Sequence, residues 1–180
     1  MGAHVGGPYV SAGAESRFKI TPEQLEAALS ERTRMVVLNS PSNPTGSAYT
    51  RDELAALGAV LERYPQVVVA SDDIYEHILW REEPFSNIAN AAPAIAERTL
   101  VVNGVSKAYA MTGWRIGYAA GPAPLIAAMK KVQSQSTSNP ASISQAAALA
   151  ALNGDQGCIA PMREQFKQRH DFVVERLNAM

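Results

Sequence analysis

Short apolar runs alternate along the chain with segments in which apolar residues recur at helical spacing. Four short runs predict buried β-strands; they cover residues 35–39, 67–70, 99–102 and 116–120. Five longer segments predict helices, because their apolar residues return every three or four positions; they cover residues 21–31, 50–62, 124–133, 142–152 and 161–180. Thr21, which Pro22 follows, and Thr50 are typical helix N-caps.

This alternation predicts an α/β fold with a mostly parallel sheet and helices on both of its faces. The composition is ordinary for a soluble globular domain, with 47% hydrophobic and 18% charged residues. Because 16 basic and 17 acidic residues nearly cancel, bulk charge indicates neither a nucleic acid nor a membrane surface as a partner. No apolar run approaches the roughly 20 residues needed to span a bilayer.

Two features favour a cytoplasmic location. The N-terminus, MGAHVGGPYV, has no basic region followed by an apolar stretch, so we do not expect a signal peptide. The single cysteine, Cys158, cannot form an internal disulfide and fits a reducing compartment. We interpret Cys158 as a small buried apolar residue, because no activating partner is visible. The histidines lack the spacing of metal ligands, so we predict no metal site.

Polar and ionisable residues directly follow three of the predicted strands. Residues 39–46 are N-S-P-S-N-P-T-G, residues 71–75 are S-D-D-I-Y, and residues 103–107 are N-G-V-S-K. Each segment alone has an ordinary explanation, because such residues also form turns, helix caps and solvated loops. Ligands of open α/β sheets, however, bind at the carboxyl ends of the strands. The three segments together therefore predict a ligand site at this edge.

These segments resemble the sequence signature of the class I and II aminotransferases, which depend on pyridoxal phosphate (PLP). The matching residues are Asn43-Pro44-Thr45-Gly46, Asp72-x-x-Tyr75 and the run S-K-A-Y-A-M-T-G-W-R-I-G at 106–117. The last run is the most specific, and with S-D-D-I-Y-E-H at 71–77 it is most similar to bacterial aspartate aminotransferases. The resemblance extends from about Phe18 to the C-terminus and implies the large domain of the PLP-dependent transferase fold.

The resemblance implies a role for each matching residue. Lys107 would be the catalytic residue that carries PLP on its amine and then serves as the general base. Asp72 would keep the pyridine nitrogen of PLP protonated, whereas Asp73 would point to the other side of the strand. Tyr75 and Asn43 would hydrogen-bond the 3′-oxygen of PLP, and Asn43 would also contact the substrate carboxylate.

The resemblance also implies how the phosphate of PLP is bound. Arg115 lies eight residues after Lys107 and would hold the phosphate by a planar two-point contact. Many relatives have a serine three residues before the lysine, whereas this chain has Gly104 there. Ser106 would take over part of that serine's contact.

The expected function is transfer of an amino group from an amino acid, aspartate, to a 2-oxo acid, 2-oxoglutarate, in a protein that is a homodimer at full length. Two alternatives remain open at this point. One is a noncatalytic fragment of the fold, such as a dimerising module. The other is a lyase or synthase that uses PLP on the same fold, because substrate contacts outside these motifs choose the reaction.

The resemblance covers only the middle of a typical family member. We therefore expect the chain to be a fragment that has little activity alone. Relatives have an upstream phosphate-binding loop and a downstream arginine for the substrate carboxylate, and neither is recognisable here. Residues 1–154 are predicted to form a partial PLP-binding large domain, and residues 155–180 the start of the helix leading to a small domain.

Overall fold

The structure is a computed structural model that describes residues 9–180. The first eight residues, on which the expectation of no signal peptide rests, lie outside the described residues. The start of the predicted 1–154 domain lies outside them as well.

The fold is built on a four-stranded sheet in the order β1-β2-β3-β4. The strands are β1 (Met35–Asn39), β2 (Val68–Asp72), β3 (Thr99–Gly104) and β4 (Gly117–Ala120). The first three strands are parallel, and β4 is antiparallel to β3. The predicted mostly parallel sheet is therefore confirmed.

The antiparallel direction of β4 follows from the short connection that precedes it. Residues 105–116 contain turns and one 3₁₀ helix, Thr112–Trp114, but no α-helix to carry the chain back across the sheet. A parallel neighbour is usually reached through a helical crossover, which these twelve residues do not form. The chain reverses instead, and this reversal contains the most specific of the sequence motifs.

Six α-helices accompany the sheet in the part of the chain that the structure describes. They are α1 (Pro22–Ala28), α2 (Arg51–Glu62), α3 (Ile88–Ala91), α4 (Ala123–Ser136), α5 (Ser142–Asn153) and α6 (Ile159–Asn178). The predicted N-caps are confirmed: Thr21 and Thr50 each form a capping box with the residue three positions on, Gln24 and Glu53. These boxes fix where α1 and α2 begin.

The main hydrophobic core lies between the sheet and the helices α1, α2 and α3. Its most buried side chains are Leu25, Leu57, Leu61, Val67, Val69, Ile88 and Ile95. The opposite face of β1 is open, because Val37 is 67% exposed and Met35 is 50% exposed. The prediction that β1 is a buried strand is thus wrong for one of its two faces. A continuous apolar run does not indicate which face of a strand other elements cover.

Residues 155–180 form mainly one helix. A 3₁₀ turn at Gln156–Cys158 separates α5 from α6, and Cys158 is exposed, so the prediction that it is buried is wrong. The division between 154 and 155 stays a prediction. No helix among the described residues is long and apolar enough to cross a membrane.

Candidate active site

The three polar segments meet at one edge of the sheet. Asn39, the last residue of β1, is the register partner of Asp72, the last residue of β2, and Asp72 in turn pairs with Val102 of β3. The side-chain amide of Asn39 donates a hydrogen bond to the carbonyl oxygen of Asp72 at 3.2 Å. The segments that follow these three strands therefore begin next to one another at the same edge of the sheet.

Lys107, Tyr75 and Asn43 come together beyond this edge. The Nζ atom of Lys107 lies 5.3 Å from the centre of the Tyr75 ring, within the range of a cation–π contact. The hydroxyl of Tyr75 lies 3.5 Å from the Nδ2 atom of Asn43. Asn39 orients the Asn43 loop, because its Oδ1 atom accepts a hydrogen bond from the backbone N–H of Asn43 at 2.9 Å. Three of the predicted site residues thus form one cluster.

The two adjacent aspartates at the end of β2 have different surroundings. Asp72 is half-buried, and its Oδ1 atom accepts a hydrogen bond from the backbone N–H of Ile74 at 3.2 Å. Asp73 is 2% exposed, and its Oδ1 atom accepts a hydrogen bond from the hydroxyl of Ser71 at 2.7 Å. The Oδ2 atom of Asp73 has no hydrogen-bond partner among the described residues.

Burial raises the pKa of the Asp73 carboxyl to about 6. The hydrogen bond from Ser71 and the nearby side chain of Asn87 act against this increase, whereas the negative charges of Glu76 and Asp72 add to it. Asp73 therefore faces the protein interior, and Asp72 is the carboxylate accessible to a ligand.

Gly104 occupies a position with little space for a side chain. A Cβ atom there would lie 3.1 Å from Cδ1 of Ile74 and 3.2 Å from both Cα of Gly117 and the carbonyl oxygen of Ile116. A serine would require its neighbours to move by a few tenths of an ångström. The side chain of Ile74 and the backbone at 116–117 therefore leave little room for a serine at this position of the chain.

Among the described residues, no hydrogen bond or salt bridge joins the side chains of the two predicted phosphate-binding residues, Arg115 and Ser106, to those of Lys107, Tyr75 or Asn43. Ser106 is half-buried. Arg115 is exposed, has a left-handed backbone with φ of 50°, and donates one hydrogen bond from Nη1 to the carbonyl of Thr112 at 2.9 Å. The rest of its guanidinium is free of described partners, so it can receive an anion.

A cleft of about 530 Å³ lies beside the cluster. The loop 41–46 and Tyr75 line one part of it, and Trp80, Arg81 and His170 line another. The rings of Trp80 and His170 have centroids 5.3 Å apart, so α6 contacts the segment that follows Tyr75. Sequence reasoning assigned neither ring to the site, because nothing in the sequence indicates that residues 90 positions apart meet.

The chain matches the model of the family "Aminotransferase class I and II" over residues 5–180. It therefore belongs to the class I and II aminotransferases, whose cofactor is PLP. The predicted family and cofactor are confirmed by this match.

Individual relatives make the similarity more specific. The chain is 59% identical to an aspartate/prephenate aminotransferase of Nitrosomonas europaea over 172 residues, which are 96% of this chain and 43% of the relative. The crystal structure of the aspartate aminotransferase of Rhizobium meliloti matches with a TM-score of 0.91 at 54% identity, over 94% of this chain and 42% of that one. The aspartate aminotransferase of Thermus thermophilus with maleate matches with a TM-score of 0.87 at 42% identity, over 94% of this chain and 44% of that one.

These matches confirm the predicted fold, and they also show how much of the length of the matched proteins this chain covers. The chain spans less than half the length of the relatives and structures that it matches. The side chains present are chemically suited to PLP. The amine of Lys107 suits its aldehyde, and the carboxylate of Asp72 suits its ring nitrogen. The phenol of Tyr75 suits its 3′-oxygen, and the guanidinium of Arg115 suits its phosphate. Asp72 and Arg115 each keep hydrogen-bonding capacity that no described residue uses.

Proposed function

We propose that this chain is part of a PLP-dependent aminotransferase that transfers the amino group of aspartate to 2-oxoglutarate. The observation that carries the proposal is the meeting of Lys107 with Tyr75 and Asn43 at the edge where Asp72 ends β2. The names of the relatives, aspartate and aspartate/prephenate aminotransferase, support aspartate as the amino donor.

Lys107 has the central role in this proposal. Bound PLP supplies an electron sink that stabilises negative charge on the substrate's α-carbon. The primary amine of Lys107 would hold the cofactor through its aldehyde group, and once free of it the same Nζ atom would accept the proton of the substrate's α-carbon as a general base. Lys107 is half-buried, and its Nζ atom lies beside the Tyr75 ring.

The other residues bind and orient. The carboxylate of Asp72 would hold the ring nitrogen in its protonated form, because an adjacent negative charge favours the cation. Tyr75 and Asn43 would donate hydrogen bonds to the 3′-oxygen, and Asn43 would also contact the substrate carboxylate. Arg115 would pair with the phosphate through the part of its guanidinium that Thr112 does not occupy, and Ser106 would add a hydroxyl donor.

The larger protein to which this function belongs is proposed to be a cytoplasmic homodimer. Its small-molecule partners are an amino acid and a 2-oxo acid. Within this chain, residues 1–154 belong to the PLP-binding large domain, and residues 155–180 begin the helix that leads to the small domain. Within this chain, α6 lies beside the segment that follows Tyr75, through the contact between Trp80 and His170.

Covalent trapping of the cofactor tests the proposal. The chain is incubated with PLP, reduced with borohydride and digested, and the modified peptide is identified by mass spectrometry. We expect the adduct on Lys107 and its loss in Lys107→Arg, which keeps the charge but not the primary amine. Lys130→Arg and Lys131→Arg are matched controls and should label as the wild type does. An adduct mainly on Lys130 or Lys131 would contradict the proposal.

A further inference from the structure

Glu76 joins the two segments that carry Tyr75 and Lys107. Its Oε1 atom accepts a hydrogen bond from Nδ2 of Asn103 at 2.6 Å. Glu76 directly follows Tyr75, and Asn103 lies in β3, four residues before Lys107. One side-chain contact therefore spans the two connections that present the phenol and the amine of the site.

Both partners of this contact are fixed to the backbone around them. The N–H of Glu76 donates to the carbonyl of Asp73 at 2.9 Å, and Oδ1 of Asn103 accepts from the N–H of Gly104 at 2.7 Å. The Glu76 side chain is 28% exposed, so solvent only partly screens its charge. The exposed ring of His77 also lies beside it, with its Nε2 atom 3.5 Å from the same carboxylate oxygen.

We propose that Glu76 is a positioning residue that, through Asn103, sets the distance between Tyr75 and Lys107. This inference rests on the proposed function of these two residues. The 3.5 Å contact between Tyr75 and Asn43 is too long to hold the Tyr75 turn firmly by itself. A displacement of about 1 Å in a reacting group can cost on the order of a hundredfold in rate, so such a brace has a functional consequence.

Loss of either partner should weaken cofactor capture at Lys107. We expect Glu76→Ala and Asn103→Ala each to raise the PLP concentration that gives half-maximal labelling by about tenfold, since each removes a hydrogen bond to a charged group. The double variant should be no worse than either single variant, because both remove the same contact. Glu76→Gln should restore labelling, because its amide oxygen can still accept from Asn103.

Exchanging the donor and the acceptor of this hydrogen bond distinguishes a positioning role of Glu76 from an effect of its negative charge. Asn103→Asp places two carboxylates against each other, and we expect it to impair labelling more than Asn103→Ala. The combination of Glu76→Gln with Asn103→Asp should recover labelling, because the new amide donates to the new carboxylate. Far-UV circular dichroism and urea unfolding of each variant identify any that fail to fold, and the folded Glu76→Gln variants then carry the comparison.

A second readout does not need the cofactor. The rate of acetylation of Lys107 by acetic anhydride, relative to Lys130, reports the surroundings of its amine and should change in Glu76→Ala and Asn103→Ala but not in Glu76→Gln. Glu83→Ala removes an acceptor for the backbone N–H of Arg51 and is the matched control, with no expected effect.

These results distinguish the inference from the proposed function. If the wild type labels at Lys107 and Glu76→Ala labels equally well, the Glu76 inference is wrong and the proposed function stands. If the wild type takes no PLP at Lys107, the proposed function is contradicted, and unchanged acetylation ratios would overturn the Glu76 inference as well.

Discussion

The adjacent carboxylates of Asp72 and Asp73 allow a test at the scale of single residues. Asp72→Asn removes the charge proposed to meet the ring nitrogen, and we expect PLP affinity to fall about tenfold or more, because hydrogen bonds to charged groups contribute about 1.5–3 kcal/mol. Asp73→Asn should bind PLP nearly as the wild type does, because its carboxyl is buried against Ser71. Absorbance titration of both variants measures this difference. Equal losses of PLP affinity in the two variants would show that the ring-nitrogen contact does not belong to Asp72 alone.

Asp73 also makes the stability of the chain depend on pH. Its folded-state pKa is about 6, above the ordinary 3.8, so the folded state binds the proton more tightly than the unfolded state. This contribution is fully present below about pH 4 and is lost as the pH rises through 6. We expect Asp73→Asn to gain stability relative to the wild type between pH 4 and 7, by up to about 3 kcal/mol. Urea unfolding at several pH values measures it, and a constant difference would contradict the assignment.

The sequence was sufficient to predict which residues form the Lys107 cluster, but not how they touch. The motifs place Asn43, Tyr75 and Lys107 after three strands, and parallel strands end at one edge, so proximity follows. The bond between Glu76 and Asn103 depends on the turn after β2, which no periodicity describes. The exposure of Cys158 likewise depends on what packs around it, which composition cannot show.

At the scale of elements, Gly58 determines how closely α2 approaches α3. A Cβ atom at Gly58 would lie 2.1 Å from the Cβ of Ala92, the C-cap residue of α3. Alanine in a helix is normally favoured over glycine by about 1 kcal/mol. Overpacking of this kind costs about 1–3 kcal/mol, so we expect Gly58→Ala to destabilise the chain by up to about 2 kcal/mol net.

A second substitution isolates the cause. Ala92→Gly removes the opposing methyl group, so adding it to Gly58→Ala should recover most of the lost stability. Urea denaturation of the wild type, both single variants and the double variant gives the coupling energy. A Gly58→Ala variant that is more stable than the wild type would show that the two helices move apart at little cost.

The elements with strong local signals were predicted most accurately. For α2, the capping threonine and the apolar spacing agree with Arg51–Glu62 almost to the residue, and β1 has the predicted bounds. For α1, the predicted end at residue 31 was too late, since the helix ends at Ala28. The direction of β4 was beyond prediction, because it depends on a connection in which irregular turns replace a helix.

At the scale of the whole molecule, the apolar side chains of α5 and α6 show where sequence patterning is insufficient. Both helices have the expected spacing, yet Ile143, Leu149, Phe172 and Leu177 are more than half exposed. An amphipathic pattern states that a helix has an apolar face but does not state which surface covers that face. The chain matches less than half the length of its relatives, so the surfaces that would cover these faces need not lie within it.

The last prediction concerns catalysis by the 180-residue chain itself. A dicarboxylate substrate needs a cation beside its carboxylates, and the one arginine that lines the cleft in the described part of the chain is Arg81. Three of its five N–H donors are already bound to the carbonyls of Glu83, Ala48 and Tyr49, which leaves little of its guanidinium for a substrate carboxylate.

We therefore expect a coupled assay with aspartate, 2-oxoglutarate and added PLP to show a rate at least about a hundredfold below ordinary turnover, which lies near 1–1000 per second, because an unheld substrate is mispositioned. Lys107→Arg provides the background rate, since it removes the proposed general base. Trapping of PLP on Lys107 in the same sample would show that the cofactor site is intact while substrate binding is deficient. Turnover in the ordinary range would instead show that these 180 residues already provide the contacts for the substrate's carboxylates.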